Sequence, residues 1–189
     1  MLEEPKPMLF FRLIWDGHHT WFPLRLAGVN MKELHVVPET AHPFGRKGLA
    51  LAGAWLQLAD DATAGMLILD GDVAIDPWDY VAMYDAIQKE PDAVHIAPVK
   101  LWPVSRNGQE SWAWAHCRNG QFSQVLERDP DFFSFNFTYV PRRVVELAIR
   151  AGLKNEQFPN VDRAVSRAAR NAGVPMRVVE LCQPKHLHY

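Results

Sequence analysis

Along the chain, short unbroken apolar runs alternate with stretches whose apolar residues recur every three or four positions. Met8 to Trp15 (MLFFRLIW) is apolar almost throughout and stops at Asp16-Gly17, which predicts a buried strand running into a loop. Glu33 to Pro38 predicts a second strand, HPFGRKG then supplies chain breakers and two cations, and Leu49 to Leu58 predicts a helix. Met66 to Leu69 predicts a third strand, ending at Asp70-Gly71-Asp72. Asp76-Pro77 opens another helix: the aspartate suits the cap, proline suits the first turn, and Tyr80, Met83, Tyr84 and Ile87 fall on one face. Ala93 to Ala97 predicts a fourth strand. Strands alternating with helices of about three turns point to an α/β fold with a mostly parallel sheet.

The second half changes character. Residues 100–125 are polar and aromatic, with Trp102, Trp112 and Trp114 and a turn signal at Arg118-Asn119-Gly120, and read as a hairpin or long loop beside the sheet. Phe135 to Val140 predicts a strand. Pro141 then opens a helix with Val144, Leu147, Ala148 and Ala151 on one face. Asn160 suits the cap of a further helix that buries Val161, Ala164, Val165 and Ala168 and stops at Gly173. Met176 to Leu181 predicts a final strand, followed by a tail carrying His186 and His188.

The 189 residues, 48% of them apolar, suit one domain with a continuous core. A formal net charge of -2 argues against binding nucleic acid through bulk charge. Two cysteines, Cys117 and Cys182, form no disulfide framework or Cys-His metal spacing. No secretory leader or membrane-spanning stretch is visible, and a cytoplasmic location is the expectation.

Chemistry concentrates where the third strand stops. Ligands of open α/β sheets bind beyond the carboxyl ends of the strands. Asp70 and Asp72, separated by the small Gly71, suit a hard divalent cation that keeps several waters and takes phosphate oxygens. The bare Asp-x-Asp pattern is cheap, since Asp129-Pro130-Asp131 repeats it, and ordinary strand-end polar residues fit it equally. Gly45-Arg46-Lys47-Gly48 before a helix suits phosphates, or equally a solvated loop with a helix start.

Three segments in this order resemble a known family. HPFGRKGLALAGAWLQLADDATAGMLILDGDVAIDPWDYVAMYDAI resembles the core of GT-A-fold glycosyltransferases, particularly the family-2-like group, with its DxD motif between an apolar strand and a helix start. FTYVPRRVVELAIRAG is similar to the segment after that group's acceptor loop. NVDRAVSRAARNAGVPMRVVELCQPKH is similar to the terminal segment, in which an acidic pair opens a helix and a later strand leads to a histidine. Counting from Ala172-Gly173 places Asp162 on the second acid of that pair and His186 on the histidine.

The resemblance implies a compact, Rossmann-like GT-A domain spanning 1–189, with 1–100 as the nucleotide-sugar half and 101–189 as the acceptor half. It implies a metal-dependent transfer of sugar from a UDP- or GDP-linked donor to a glycan, lipid or protein hydroxyl. Asp72 would bind Mn2+ or Mg2+, Asp70 the ribose or a metal-bound water, and His186 (or His188) would be a further metal ligand. Arg46 and Lys47 would face the diphosphate, with Trp15 or Asp16 at the base. Asp162 would take the acceptor's proton and give inversion, and its place in a first helical turn favours the ionised form. The chain departs from the family pattern in three places. The first strand ends Ile14-Trp15-Asp16-Gly17-His18, Glu39-Thr40 stands where a pair of aspartates is usual, and Val161 replaces the acid before Asp162.

Other readings remain. Gly71-Asp72-Val73-Ala74-Ile75-Asp76 fits the late metal motif of haloacid-dehalogenase-type phosphatases, but the first strand offers no nucleophilic D-x-D. A nucleotidyltransferase would need a Gly-rich, Arg-containing loop after strand one. A non-catalytic nucleotide-sugar or glycan-binding module with a degenerate site is the alternative that Val161 favours. The tryptophans suit sugar stacking and hairpin packing equally.

Overall fold

The computed structural model describes residues 8–15, 31–39, 47–70, 73–106, 109–114, 116–118, 121–122, 130–155 and 160–186. In 9–15, 31–39, 100–122, 160 and 186 it is the backbone that is described. The first half runs β1 (Met8–Trp15), β2 (Met31–Glu39), α1 (Lys47–Leu58), β3 (Gly65–Leu69), β4 (Val73–Ala74), α2 (Pro77–Lys89) and β5 (Val94–Ile96). Two antiparallel hairpins follow, β6 (Lys100–Arg106) with β7 (Gln109–Trp114) and β8 (His116–Arg118) with β9 (Gln121–Phe122). The chain then forms β10 (Phe132–Phe133), β11 (Phe137–Pro141), α3 (Arg142–Arg150), α4 (Asn160–Asn171), β12 (Met176–Val178) and β13 (Lys185–His186).

The central sheet has six strands in the order β12-β5-β11-β3-β1-β2. Pairings β1–β2, β1–β3 and β5–β12 are parallel, whereas β11 is antiparallel to both β3 and β5. The fold is therefore α/β with a mixed sheet, and β11 is the reversed strand. The reason lies in the connection. A parallel neighbour of β5 needs a crossover, normally a helix, but the described residues of 100–133 form antiparallel strand pairs, and the chain returns at the edge it left.

β3 is buried on both faces. Met66 and Ile68 pack with Leu51, Trp55 and the apolar faces of α3 and α4, while Leu67 and Leu69 pack with Tyr80, Met83 and Ile87 of α2. Each such side chain contributes about 1.5–3 kcal/mol by leaving water, so a short strand at the centre anchors both layers. On α3 the expected face is corrected at its end. Val144 and Ala148 are buried, Leu147 is half-buried, Val145 joins the core, and Ala151 is exposed because the helix has ended. α4 buries Val161, Val165, Ala168 and Ala169 and leaves Ala164 half-buried. It closes on Gly173, whose φ of +66° favours glycine. Gly173 N–H reaches Arg170 O and Val174 N–H reaches Ala169 O, both at 3.0 Å, which satisfies the last carbonyls.

Gly65 starts β3 where β11 passes closely: a Cβ there would lie 2.5 Å from Val140 O and 2.7 Å from the Tyr139 ring. Gly65→Ala should therefore lower stability by about 1–3 kcal/mol in chemical denaturation. Gly53→Ala, in mid-helix with nothing within 4 Å, should raise it by about 1 kcal/mol.

Candidate active site

Parallel strands present their carboxyl ends together. Trp15 pairs with Glu39 at the ends of β1 and β2, and Arg12 pairs with Leu69, so Asp70 follows at the same edge. β1 has β2 on one side and β3 on the other, which makes the crevice above β1 and β3 a topological switch point. α1, α2 and α4 each lead back to the start of a strand of this orientation, so their N-termini face this edge with the positive ends of their dipoles. Trp15, Glu39, Asp70, Lys47 and Asp162 are thus brought to one edge of the sheet. Asp16, Arg46, Gly71, Asp72 and His188 lie outside the described residues.

Lys47 is the first residue of α1 and only 4% exposed, and its ammonium lies 2.9 Å from Asp70 Oδ1. The same ammonium sits 5.2 Å from the centre of the Phe135 ring. Asp70 is fixed through its backbone as well: its N–H donates to Asn136 O at 2.8 Å, and its carbonyl accepts from Val73 N–H at 3.2 Å. Lys47, expected to face a diphosphate, is in this arrangement the counter-ion of the strand-end aspartate.

Asp162 completes the cluster from α4. Its carboxylate accepts from Phe135 N–H, and one turn later Ser166 Oγ accepts from Phe133 N–H at 3.3 Å. Helix residues four apart rise about 6 Å and strand residues two apart about 6.6 Å, so one helix face can hold alternate amides of an extended segment. Asp162 is 6% exposed, and burial pushes its carboxyl up to about 6. Lys47 opposes that shift, the Asp70 charge adds to it, and the hydrogen bonds from Phe135 and its own N–H oppose it. The helix-start effect expected from sequence is outweighed by desolvation. Asp162 Oδ1 and Asn136 Nδ2 are buried with no partner among the described residues. Nothing in the sequence singled out Asn136.

The tail returns to the acidic turn. β13 pairs antiparallel with β4, Lys185 opposite Ala74 and His186 opposite Val73, the residue after Asp72. The chain register alone therefore sets the backbone of His186 beside the turn. β13 also lies against β6, so the hairpin bearing Trp102, Trp112 and Trp114 stands next to this edge. Trp112 and Trp114 share a strand face by alternation, opposite Pro103 and Lys100 respectively. Among the described residues no cluster of three metal-ligating side chains forms and no helix is long and apolar enough to cross a membrane.

No protein-family model matches the chain, and no curated protein matches it. Solved structures do. A197 from STIV superposes with a TM-score of 0.58 at 13% identity, covering 96% of this chain and 87% of that one. CMP:2-keto-3-deoxy-manno-octonic acid synthetase complexed with CTP superposes with a TM-score of 0.50 at 13% identity, over 93% and 90% of the two chains. The inositol-1-phosphate CTP transferase from T. maritima gives 0.49 at 10% identity, over 96% and 69%. At these identities the likeness is one of fold.

The Asp162 shift has a sign that stability measurements read. With its pKa raised in the fold, the group favours the native state at pH below about 4, and that contribution is lost as pH rises through about 6. Asp162→Asn removes the titration. The stability of the parent relative to Asp162→Asn should fall by on the order of 3 kcal/mol between pH 4 and pH 8 in urea unfolding.

Proposed function

We propose that the chain is a GT-A-type glycosyltransferase that moves a sugar from a UDP- or GDP-linked donor to an acceptor hydroxyl. The observation that carries this reading is the β13–β4 register, which sets His186 across from the residue after Asp72 at the edge where Trp15, Glu39 and Asp70 also end. A fold shared with a synthetase complexed with CTP supports a nucleotide at that edge.

The donor set fits a hard cation: the carboxylate of Asp72, the imidazole of His186, and Asp70 acting through a bound water or the ribose. Bound there, Mn2+ or Mg2+ would neutralise charge on the departing diphosphate. With Lys47 already balancing Asp70, direct ligation falls to Asp72. Arg46 and the N-terminus of α1 would face the diphosphate, with Trp15 or Asp16 at the base and Glu39 toward the ribose. Asp162 Oδ1 takes the acceptor proton while the acceptor oxygen bonds to the anomeric carbon and the diphosphate oxygen leaves from the opposite side, giving inversion. A group titrating near 6 is ionised at neutral pH yet basic enough to accept that proton.

The second reading is nucleotidyl transfer, favoured by the superposition on the CTP-bound synthetase. Of the Gly-rich, Arg-containing loop it requires after β1, residues 16–30 supply Arg25 but only two glycines, Gly17 and Gly28.

Thermal shift separates the two readings. A UDP- or GDP-sugar should raise the melting temperature only with Mn2+ present, whereas a shift with CTP alone would favour nucleotidyl transfer. Asp72→Ala should abolish metal-dependent binding and transfer. Asp162→Asn should keep binding and lose transfer, and the parent rate should rise with pH through about 6. Normal transfer by Asp162→Asn would remove it as the base.

A further inference from the structure

The last described residues do not reach the acidic turn by strand pairing alone. Asp79, in the first turn of α2, is 4% exposed, and its two carboxylate oxygens have different employers. Oδ2 accepts from Asp76 N–H at 2.9 Å, and Asp76 Oδ1 accepts in return from Asp79 N–H at 2.9 Å, closing a capping box. Oδ1 accepts instead from Gln183 N–H at 2.5 Å, 104 positions away in sequence. One residue earlier, Cys182 Sγ donates to Asp79 O at 3.2 Å, and Cys182 N–H donates to Val179 O at 2.9 Å. Pro184 is buried, and Lys185–His186 then pairs with β4. β4 is itself held at one end by Asp70 O and leads at the other into the Asp76 cap.

These bonds make a closed circuit that begins three residues after Asp70: β4, Asp76, Asp79, Gln183, β13 and back to β4. A helix cap needs only one carboxylate oxygen, and the second, removed from water, is spent on the tail. The geometry points to Asp79 as the positioning residue that fixes the tail and thereby sets His186 at the acidic turn. This inference rests on the proposed metal-dependent site. Without the Gln183 bond, the charge-assisted tie next to β13 is lost, and the Cys182 Sγ–Asp79 O bond and a two-residue pairing with β4 are left as a weaker hold on its register.

Two substitutions reach the bond from its two sides. Asp79→Asn replaces one acceptor oxygen by an NH2 group. Gln183→Pro deletes the donor N–H and leaves the capping box intact. Mn2+ is titrated into the 189-residue chain with UDP present, well below the melting temperature, and free Mn2+ is read from its paramagnetic resonance signal. Both variants should stay folded by circular dichroism and bind Mn2+ at least about ten-fold more weakly than the parent, as loss of an orienting partner does at metal sites. Parent-like affinity in both variants, alongside loss in Asp72→Ala and His186→Ala, would overturn the assignment of Asp79 and leave the site standing. Loss in Asp79→Asn with none in Gln183→Pro would assign the effect to the α2 cap and also overturn it. A parent that takes up no Mn2+, or Asp72→Ala and His186→Ala variants that bind normally, would instead overturn the metal site itself.

Discussion

The ammonium of Lys47 lies 2.9 Å from Asp70 Oδ1, and both groups are almost wholly removed from water. Such a pair costs desolvation that its attraction only partly offsets, so it is weak evidence for stability and better evidence for specification. Here it ties the first residue of α1 to the residue that ends β3, fixing the height at which the helix enters relative to the acidic turn. It also sets the charge of the neighbourhood. Asp162 feels Lys47 as attraction and Asp70 as repulsion, so two carboxylates share one buried ammonium.

The rest of the molecule delivers groups to that point. β3 is apolar on both faces and has no polar side chain between Met66 and Leu69, so chemistry is confined to its end. The mixed sheet brings in β11 antiparallel, which places Asn136 across from Asp70 and joins their backbones. α4 holds the approach to β11 through Asp162 and Ser166, and α2 holds the tail through Asp79. Both helices act through side chains in their first turns or one turn beyond, where backbone donors are otherwise unsatisfied.

Much of this could be read from residue types. The cap and buried face of α2 followed from Asp76-Pro77 and the spacing of Tyr80, Met83 and Ile87, and the end of α4 followed from Gly173. The count from Ala172-Gly173 sets His186 on the terminal histidine of the family the chain resembles, and in the structure the backbone of His186 pairs with Val73. Other features had no local signal. β4, β10 and β13 are two residues each, too short for periodicity to mark, and exist through tertiary pairing. The reversal of β11 goes with the antiparallel strand pairs among the described residues of 100–133, a stretch that the sequence already marks as a hairpin or long loop. Lys47 looked like a loop cation because its neighbours are chain breakers, and only the fold shows its partner. The helix start of Asp162 is legible in the sequence, but the depth of burial that raises its pKa is a property of the packed core. Asp79 did have a signal, the Asp76-x-x-Asp79 spacing of a capping box, but its second bond spans most of the chain.

In the proposed site a divalent cation would sit between the acidic turn and a donor's pyrophosphate, with β13 alongside. The most direct measurement of it is anomalous scattering from a crystal soaked with Mn2+ and a UDP- or GDP-sugar. The expected result is a manganese peak bonded to Asp72 and His186 with the diphosphate against the start of α1. A bound nucleotide with no manganese at that turn, or His186 directed away from it, would rule out the metal-dependent site.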